Sequence, residues 1–160
     1  MIFVTVGTQL PFDRLVGAVD RWAATRPDAE VFAQVGPTAL RPAHLAWERF
    51  VSPAECRERM RAADAIVAHA GMGTILGALE LGTPILVMPR RAALGEHRND
   101  HQLATARRLA EQGAIAVAFD EAGLHARLGG LDRLGAREPI GRYATAPLLD
   151  ALRGFIAGAR

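Results

Sequence analysis

Short runs of β-branched and aliphatic residues alternate along the chain with longer segments in which apolar residues recur every three or four positions. The first pattern is typical of buried strands, and the second is typical of helices that bury one face. The predicted strands are Ile2–Val6, Glu30–Val35, Trp47–Val51, Ala65–His69, Pro84–Met88 and Ala114–Ala118. The predicted helices are Phe12–Ala24, Pro53–Ala63, Gly73–Leu81, Asn99–Glu111 and Ala146–Ala157. This alternation predicts an α/β fold, a parallel sheet with helices on both faces.

One domain is predicted over residues 1–160, because a chain of 160 residues with 50% hydrophobic composition can bury one sizeable core. Residues 123–143 are richer in glycine and arginine than the rest, so we expect a looser connection there before the last helix. No stretch approaches the roughly 20 apolar residues that a membrane helix needs. The strand-like start after Met1 does not resemble a signal peptide. These features predict a cytoplasmic chain.

The charged and sulfur-containing residues narrow the class of function. Cys56 is the only cysteine, so an intramolecular disulfide and a cysteine metal cage are both excluded. All 19 basic residues are arginine and the pI is about 9.4, but the arginines are dispersed and aromatic residues make up only 6%. No stacking platform for nucleic acid stands out, and we expect no nucleic-acid partner.

Three unusual loops follow predicted strands. They are GTQLPF at residues 7–12, HAGMGT at residues 69–74 and RRAALGEHRNDHQ at residues 90–102. Ligands of open parallel sheets bind outside the carboxyl ends of the strands, so these loops are where a site is expected.

The second loop has the features of a phosphate-binding turn. Gly71 and Gly73 allow the backbone to approach a ligand closely, and Thr74 offers a hydroxyl at the start of a helix. The first N–H groups of a helix have no partner within the helix, so they bind phosphate readily. The turn therefore indicates a pyrophosphate. The alternative is a strand-to-helix turn that binds nothing, with His69 as an ordinary core histidine.

The third loop carries two histidines, His97 and His101, at a spacing that can hold zinc on a helix. Arg98 stands where a metalloprotease has its glutamate, and no third ligand is evident, so we expect no metal. Gln102 and Thr105 fall on adjacent turns of the following helix. They can hydrogen-bond a polyhydroxylated ligand, or they are ordinary solvated residues.

The ordered motif from HAGMGT to the glutamine-bearing helix, residues 69–113, resembles the donor-binding block of GT-B glycosyltransferases of the family 28 C-terminal type. The opening MIFVTVGTQLPFDRLVGAVDRWA is similar to the start of small soluble subunits of two-component transferases in this family. Those subunits act in bacterial exopolysaccharide assembly, including the glucuronosyl type, and in dolichol-linked N-acetylglucosamine transfer. The resemblance covers Met1 to about Val117 and implies a Rossmann-like GT-B C-terminal half that binds a UDP-sugar.

The resemblance also implies residue roles. The UDP diphosphate would be bound by Gly7, Thr8, His69, Gly71, Met72, Gly73 and Thr74. The donor sugar would be contacted by His101, Gln102, Thr105, Arg90, Arg91 and Arg98, and the arginines would suit a uronic acid carboxylate. Members of the wider family place a ribose-binding glutamate where this chain has Gly77. Glu80, one turn later, is either its substitute or a surface residue. His69 is the one candidate for a catalytic group, and no cofactor is implied.

The implied function is a UDP-sugar-binding catalytic subunit of an inverting hexosyltransferase with a lipid-linked saccharide acceptor. An acceptor-binding, membrane-anchored subunit would hold this chain at the inner face of the membrane. The final helix carries an apolar stripe that would contact this partner or pack on its own domain. The stripe comprises Leu148, Leu149, Leu152, Phe155 and Ile156.

A second hypothesis is a non-catalytic module that binds a nucleotide-sugar and regulates a partner transferase. A third is a nucleotide-sugar epimerase, which needs two domains in one chain.

Overall fold

A computed structural model describes residues 1–136, 138–141 and 143–158. The strands are β1 Ile2–Thr5, β2 Val31–Gln34, β3 Ala46–Glu48, β4 Ala65–His69, β5 Ile85–Met88 and β6 Ala116–Val117. The α-helices are α1 Asp13–Ala23, α2 Pro53–Ala62, α3 Met72–Leu81, α4 His101–Glu111, α5 Glu121–Leu128 and α6 Ala146–Gly158. Short 3-10 turns lie at Ala92–Leu94 and Leu131–Leu134.

The six strands form one parallel sheet in the order β3-β2-β1-β4-β5-β6. Side chains alternate across each strand, so Val4 of β1 faces one helix layer and Phe3 faces the other. The first layer consists of α1 and α5 and the second of α2, α3 and α4. The predicted α/β fold, with helices on both faces of a parallel sheet, is confirmed.

The strand order changes direction beside β1. The chain runs outward from β1 to β2 and β3, and then returns to place β4 on the other side of β1. The connections leaving β1 and β4 consequently diverge to opposite sides and open a crevice at the carboxyl edge of the sheet.

Several predicted boundaries shift by a few residues. The largest changes are in the edge strands, because β3 is confined to Ala46–Glu48 and β6 to Ala116–Val117. An edge strand pairs on one side only, so its hydrogen-bonded length is set by its single neighbour.

The looser connection predicted for residues 123–143 is wrong over its first part, where α5 lies. The Asp120 side chain caps α5 by accepting a hydrogen bond from the Gly123 N–H at 2.7 Å. Leu124 and Leu128, one turn apart, are fully buried against α1. The glycine content concealed this i, i+4 apolar pair. Residues 137 and 142 of the same stretch lie outside the described residues.

Helix α6 buries none of its described residues. Its apolar stripe is exposed, with Phe155 75% and Ile156 69% accessible. The alternative in which this stripe packs on its own domain is therefore wrong for the isolated chain. No helix in the described part of the chain combines the length and the apolar character needed to cross a bilayer.

Candidate functional site

A cavity of about 560 Å³ opens at the carboxyl edge of the sheet, beside the change in strand order. This volume is in the range of small-molecule sites. Its lining comprises Thr5, Val6, Gly7, Thr8, Gln9, Leu10, Gln34, Val51, Pro53, Cys56, His69, Gly71, Gly73, Thr74, Arg90, His97, His101 and Gln102. A larger depression of about 790 Å³ lies at the opposite edge, near the strand starts at Ile2 and Ala65. Because ligands of open parallel sheets bind at the carboxyl edge, the first cavity is the candidate site.

The N-terminus of α3 faces this cavity without a side-chain cap. Gly71 occupies the N-cap position in an extended conformation and has no side chain to bond the first N–H groups. Side chains cap α2 (Ser52) and α5 (Asp120), whereas α1 and α4, like α3, have no side-chain cap. A Cβ placed on Gly73 would meet no atom within 4 Å. The uncapped N–H groups and the open space beside them suit a phosphate group.

The His69 ring lies between two glycines. A Cβ placed on Gly71 would lie 2.2 Å from His69 Nε2, and one placed on Gly7 would lie 2.9 Å from Cε1. Gly7 also has a φ of +75°, which a side chain rarely adopts. Both glycines are therefore required by the histidine ring, a constraint additional to the approach of a ligand.

The imidazole of His69 is neutral at pH 7. Its Nδ1–H donates to the carbonyl oxygen of Thr5 at 3.4 Å, so Nε2 carries the lone pair. Burial lowers the pKa of His69 to about 4, with a smaller contribution from the positive charge of Arg90. A group with so low a pKa is a weak proton acceptor at neutral pH.

Gln34, at the end of β2, joins two of the loops that line the cavity. Its side chain is 3% exposed. Its Nε2 donates to the carbonyl oxygen of Gly7 at 3.1 Å, and its Oε1 accepts from the Val51 N–H at 3.3 Å. Sequence analysis did not identify this residue. The available signal was an amide side chain at the end of an otherwise apolar strand.

The cavity has an apolar end that sequence analysis also missed. Val51, Pro53 and Cys56 line it near the start of α2. Burial, assisted by the nearby Glu55 carboxylate, raises the pKa of the Cys56 thiol. The thiol is therefore protonated at neutral pH and contributes apolar surface.

Two of the predicted sugar contacts on α4 lie at the cavity. Gln102 is 5% exposed, and its Oε1 accepts a hydrogen bond from the Arg90 backbone N–H at 3.3 Å. His101 is exposed at the rim, with its ring edge-on to His97 at 4.6 Å between centroids. Thr105 is half-buried and does not line the cavity. Within residues 1–136, 138–141 and 143–158, no three His, Cys, Asp or Glu side chains are grouped to hold a metal ion.

The three arginines predicted beside the donor sugar occupy different environments. Arg90 is 2% exposed, and its guanidinium donates to backbone carbonyls of the loop after β1. Arg91 borders a separate depression of about 470 Å³ and donates to the Phe119 carbonyl oxygen at 2.6 Å. Arg98 is exposed and lines neither cavity. Arg90 and Arg91 thus make contacts within the protein, and their contact with a carboxylate of the donor sugar stays a prediction.

The predicted ribose contact and one turn residue lie away from the cavity. Glu80 lies outside the cavity lining and its Oε2 is 3.6 Å from Arg57 Nη2. A Cβ on Gly77 would lie 3.2 Å from the Cε atom of Met60, so this face of α3 packs on α2. The Met72 side chain is 46% exposed and is absent from the cavity lining.

Comparison with known proteins identifies the family. The family described as "Glycosyltransferase family 28 C-terminal domain" matches residues 1–128. The human UDP-N-acetylglucosamine transferase subunit ALG13 is 29% identical over an alignment of 129 residues, and the match covers 71% of this chain and 10% of the human protein. The chain therefore spans about a tenth of the length of this relative.

Solved structures share the fold. An NMR solution structure of ALG13 gives a TM-score of 0.61 at 20% identity and covers 94% of this chain and 93% of that one. MurG of Acinetobacter baumannii gives 0.58 at 22% identity, covering 82% of this chain and 42% of that one. A putative UDP-N-acetylglucosamine 2-epimerase from Listeria monocytogenes gives 0.61 at 16% identity, covering 97% and 44%. Because the family match extends over residues 1–128, this chain belongs to the glycosyltransferase family 28 C-terminal domain family and folds as the donor-domain half of a GT-B glycosyltransferase.

Proposed function

We propose that this chain is the UDP-sugar-binding catalytic subunit of a two-component inverting glycosyltransferase. The acceptor is a lipid-linked saccharide of polysaccharide assembly, as in exopolysaccharide biosynthesis. The observation that carries the proposal is the uncapped N-terminus of α3, which opens into the 560 Å³ cavity at the carboxyl edge of the sheet. The family membership and the word "subunit" in the name of the human relative support it.

The lining of the cavity suggests how the donor lies. The diphosphate sits against the first N–H groups of α3, where Gly71, Gly73 and Thr74 line one wall and Gly7 and Thr8 line the facing one. The sugar extends toward His101 and Gln102, whose polar groups match sugar hydroxyls. The uracil occupies the apolar end of the cavity lined by Val51, Pro53 and Cys56.

The proposed reaction is a single displacement. The acceptor hydroxyl oxygen attacks the anomeric carbon, the bond from that carbon to the β-phosphate oxygen breaks, and UDP leaves with the electron pair. One attack from the opposite face inverts the configuration of the anomeric carbon. The partial positive charge at the start of α3 stabilises the developing charge on the diphosphate.

The acceptor proton must pass to a base. No Asp or Glu is among the described residues that line the cavity. The low pKa of His69, about 4, makes this residue a better neighbour for the diphosphate than a general base. We therefore propose that the base comes from the acceptor-binding component.

Two surfaces fit a second component. One exposed apolar surface is near the cavity: Leu10, which lines it, is 39% exposed, and Phe50 and Met72, which are next in sequence to the lining residues Val51, Gly71 and Gly73, are each 46% exposed. The apolar stripe of α6 is also exposed along the helix. Burying both surfaces against a membrane-anchored partner would place the chain at the cytoplasmic face of the membrane and close the site.

A non-catalytic nucleotide-sugar-binding module is the second candidate. The observation that favours it is the lack of a carboxylate among the described cavity-lining residues, together with Gly77 packed against Met60. Replacement of His69, Thr74 or Gln102 separates the candidates. Undiminished sugar transfer by a complex that contains these variants would support the module.

Calorimetry of the purified chain with UDP, UDP-glucose, UDP-glucuronate and UDP-N-acetylglucosamine tests the function. We expect each UDP ligand to bind at least about tenfold more tightly than uridine, because the diphosphate makes charge-assisted contacts with α3. If Arg98 contacts a uronic acid carboxylate, Arg98→Ala should weaken the binding of UDP-glucuronate and leave the binding of the other UDP ligands unchanged. Equal affinity for uridine and for all UDP ligands would contradict the diphosphate site.

Charge inserted into the α6 stripe should block assembly with the partner. Native membranes should support sugar transfer only when this chain is added, and Leu152→Asp with Phe155→Asp should reduce the rate at least about tenfold, since buried anchors dominate interfaces. Arg153→Ala is the matched control, because Arg153 pairs with Asp150 on the polar side of α6. Transfer by the purified chain without membranes would refute the two-component proposal.

A further inference from the structure

Arg90, two residues after the end of β5, is a buried cation without a direct ion pair to a carboxylate among the described residues. It is among the largest fully buried side chains, at 2% exposure. None of the ion pairs between described residues includes it. Burying an unpaired charge is costly unless hydrogen bonds replace its water. The structure must therefore supply several acceptors at this position.

Those acceptors are carbonyl oxygens of the loop that joins β1 to α1. Nη2 of Arg90 donates to Val6 at 2.9 Å and to Leu10 at 2.7 Å, and Nη1 donates to Pro11. The guanidinium carbon lies 4.7 Å from the centroid of the Phe12 ring. The loop thus bends around the guanidinium from its first residue to its last.

Few other contacts hold this loop in place. The side chains of residues 8–11 are exposed, so burial does not fix its conformation. Gln34 binds the Gly7 carbonyl oxygen, at the opposite end from Pro11. The same loop contributes Gly7, Thr8, Gln9 and Leu10 to the cavity wall. The shape of that wall consequently depends on Arg90.

Arg90 also connects this wall to the opposite side of the cavity. Its backbone N–H donates to Gln102 Oε1 at 3.3 Å, and its Nη1 lies 3.5 Å from the Glu96 carbonyl oxygen. The Glu96 carboxylate forms a bidentate salt bridge with Arg14. Nε of Arg14 donates to Oε1 of Glu96 at 2.6 Å, and Nη2 donates to Oε2 at 2.8 Å. The Glu96 carboxylate therefore pairs directly with Arg14, and its charge also acts on Arg90, where it partly offsets the effect of burial, which lowers the pKa of the Arg90 guanidinium.

We propose that Arg90 is a positioning residue for donor binding: its guanidinium holds the Gly7–Pro11 loop in the shape that lines the cavity and places a positive charge beneath the donor diphosphate. This inference rests on the proposed function for its ligand. The part of the proposal that concerns the shape of the Gly7–Pro11 loop applies to the chain without any ligand.

His69 reports the charge of Arg90 independently of any ligand. The groups that act on the imidazole are the Thr5 carbonyl from β1 and, from the loop after β5, Arg90 and His97. Burial is the main cause of the low pKa of His69, and Arg90 is the next. Removing the charge of Arg90 should raise this pKa, and loosening the loop should also raise it by admitting water to the ring, so a charge-retaining variant is needed to separate the two effects.

The test uses Arg90→Gln, which removes the charge, and Arg90→Lys, which keeps the charge but loses the planar fork. Arg59→Gln is the matched control. The Arg59 guanidinium also lies over a phenylalanine ring, that of Phe32, but Arg59 is on α2 and does not line the cavity. Three quantities are measured: the His69 pKa by NMR, amide exchange of residues 7–10, and the Kd for UDP-glucose.

Arg90→Gln is expected to raise the His69 pKa and to speed amide exchange in the loop. It should also increase the Kd for UDP-glucose at least about tenfold. Arg90→Lys should raise the His69 pKa less than Arg90→Gln does, because the positive charge remains, while it speeds amide exchange in the loop and weakens UDP-glucose binding. Arg59→Gln should change none of the three. If Arg90→Gln does not fold, wild-type exchange and wild-type Kd in Arg90→Lys would overturn the proposal. An unchanged pKa and loop in a folded Arg90→Gln would overturn it as well.

The two proposals fail separately. If the wild-type chain binds no UDP-glucose, the proposed function is wrong, but the His69 pKa and loop exchange still test the role of Arg90. If the wild type binds and the Arg90 variants bind equally well, Arg90 is not a positioning residue and the function stands.

Discussion

Gly73→Val is expected to abolish UDP-sugar binding while leaving the fold intact. Gly73 lies in the first turn of α3, and a Cβ there would meet no atom within 4 Å. Its φ is not in the left-handed region, so valine fits the backbone without strain. The added side chain would occupy the space beside the uncapped N–H groups, where the diphosphate is proposed to bind. The Kd should increase at least about 100-fold, which corresponds to about 2.7 kcal/mol.

Gly154→Val provides the matched control. Gly154 also lies in a helix, and a Cβ added there would likewise meet no atom within 4 Å, but it is on α6, away from the cavity. Valine has a helix propensity no worse than that of glycine, so both variants should retain wild-type circular dichroism. Wild-type UDP affinity in a folded Gly73→Val protein would rule out a diphosphate at the start of α3.

Gly71→Ala is expected to destabilise the fold as well as the site. The added methyl group would lie 2.2 Å from His69 Nε2, and the ring is confined on its other side by Gly7. The ring must leave its position, which costs the overpacking penalty of about 1–3 kcal/mol. Urea unfolding at pH 7, where His69 is neutral, measures the loss in the free energy of unfolding.

A double-mutant cycle isolates the cause of that loss. In a His69→Ala background the ring is absent, so Gly71→Ala should cost much less than it does in the wild type. The difference between the two costs is the coupling energy between the Gly71 position and the His69 ring. Equal costs in both backgrounds would show that position 71 needs glycine for another reason.

The main elements of the fold are local in origin and were predictable. The apolar run Ala65–His69 was recognisable as a buried strand from its residues alone, and the observed strand has the same bounds. Ser52 followed by Pro53 marked the start of α2, and the Ser52 hydroxyl accepts from the Glu55 N–H at 3.1 Å as a cap should. Helix α5 was not predicted, because its two buried leucines lie in a glycine-rich stretch. Only the packing against α1 shows that these leucines form the buried face of a helix.

Some of the residues that line the cavity were also predictable, because they belong to local sequence motifs. Gly71, Gly73 and Gln102 belong to short motifs, and all three line the cavity. The role predicted for Arg90 was a contact with the donor sugar, which the family resemblance implied and which the hydrogen bonds within the protein do not test. Its observed partners, Val6 and Leu10, are 84 and 80 residues away along the chain.

The sequence by itself determined the alternation of strands and helices, the glycine turn at Gly71 and the family. These features depend on backbone geometry and side-chain spacing within a few residues. Only the tertiary structure decided that Gly71 makes room for the His69 ring, that Gln34 joins two loops and that Arg90 holds one of them. The reason is physical: a buried polar side chain takes its hydrogen bonds from whichever backbone groups the fold brings within about 3 Å, and the chain direction at that point is set by the whole sheet.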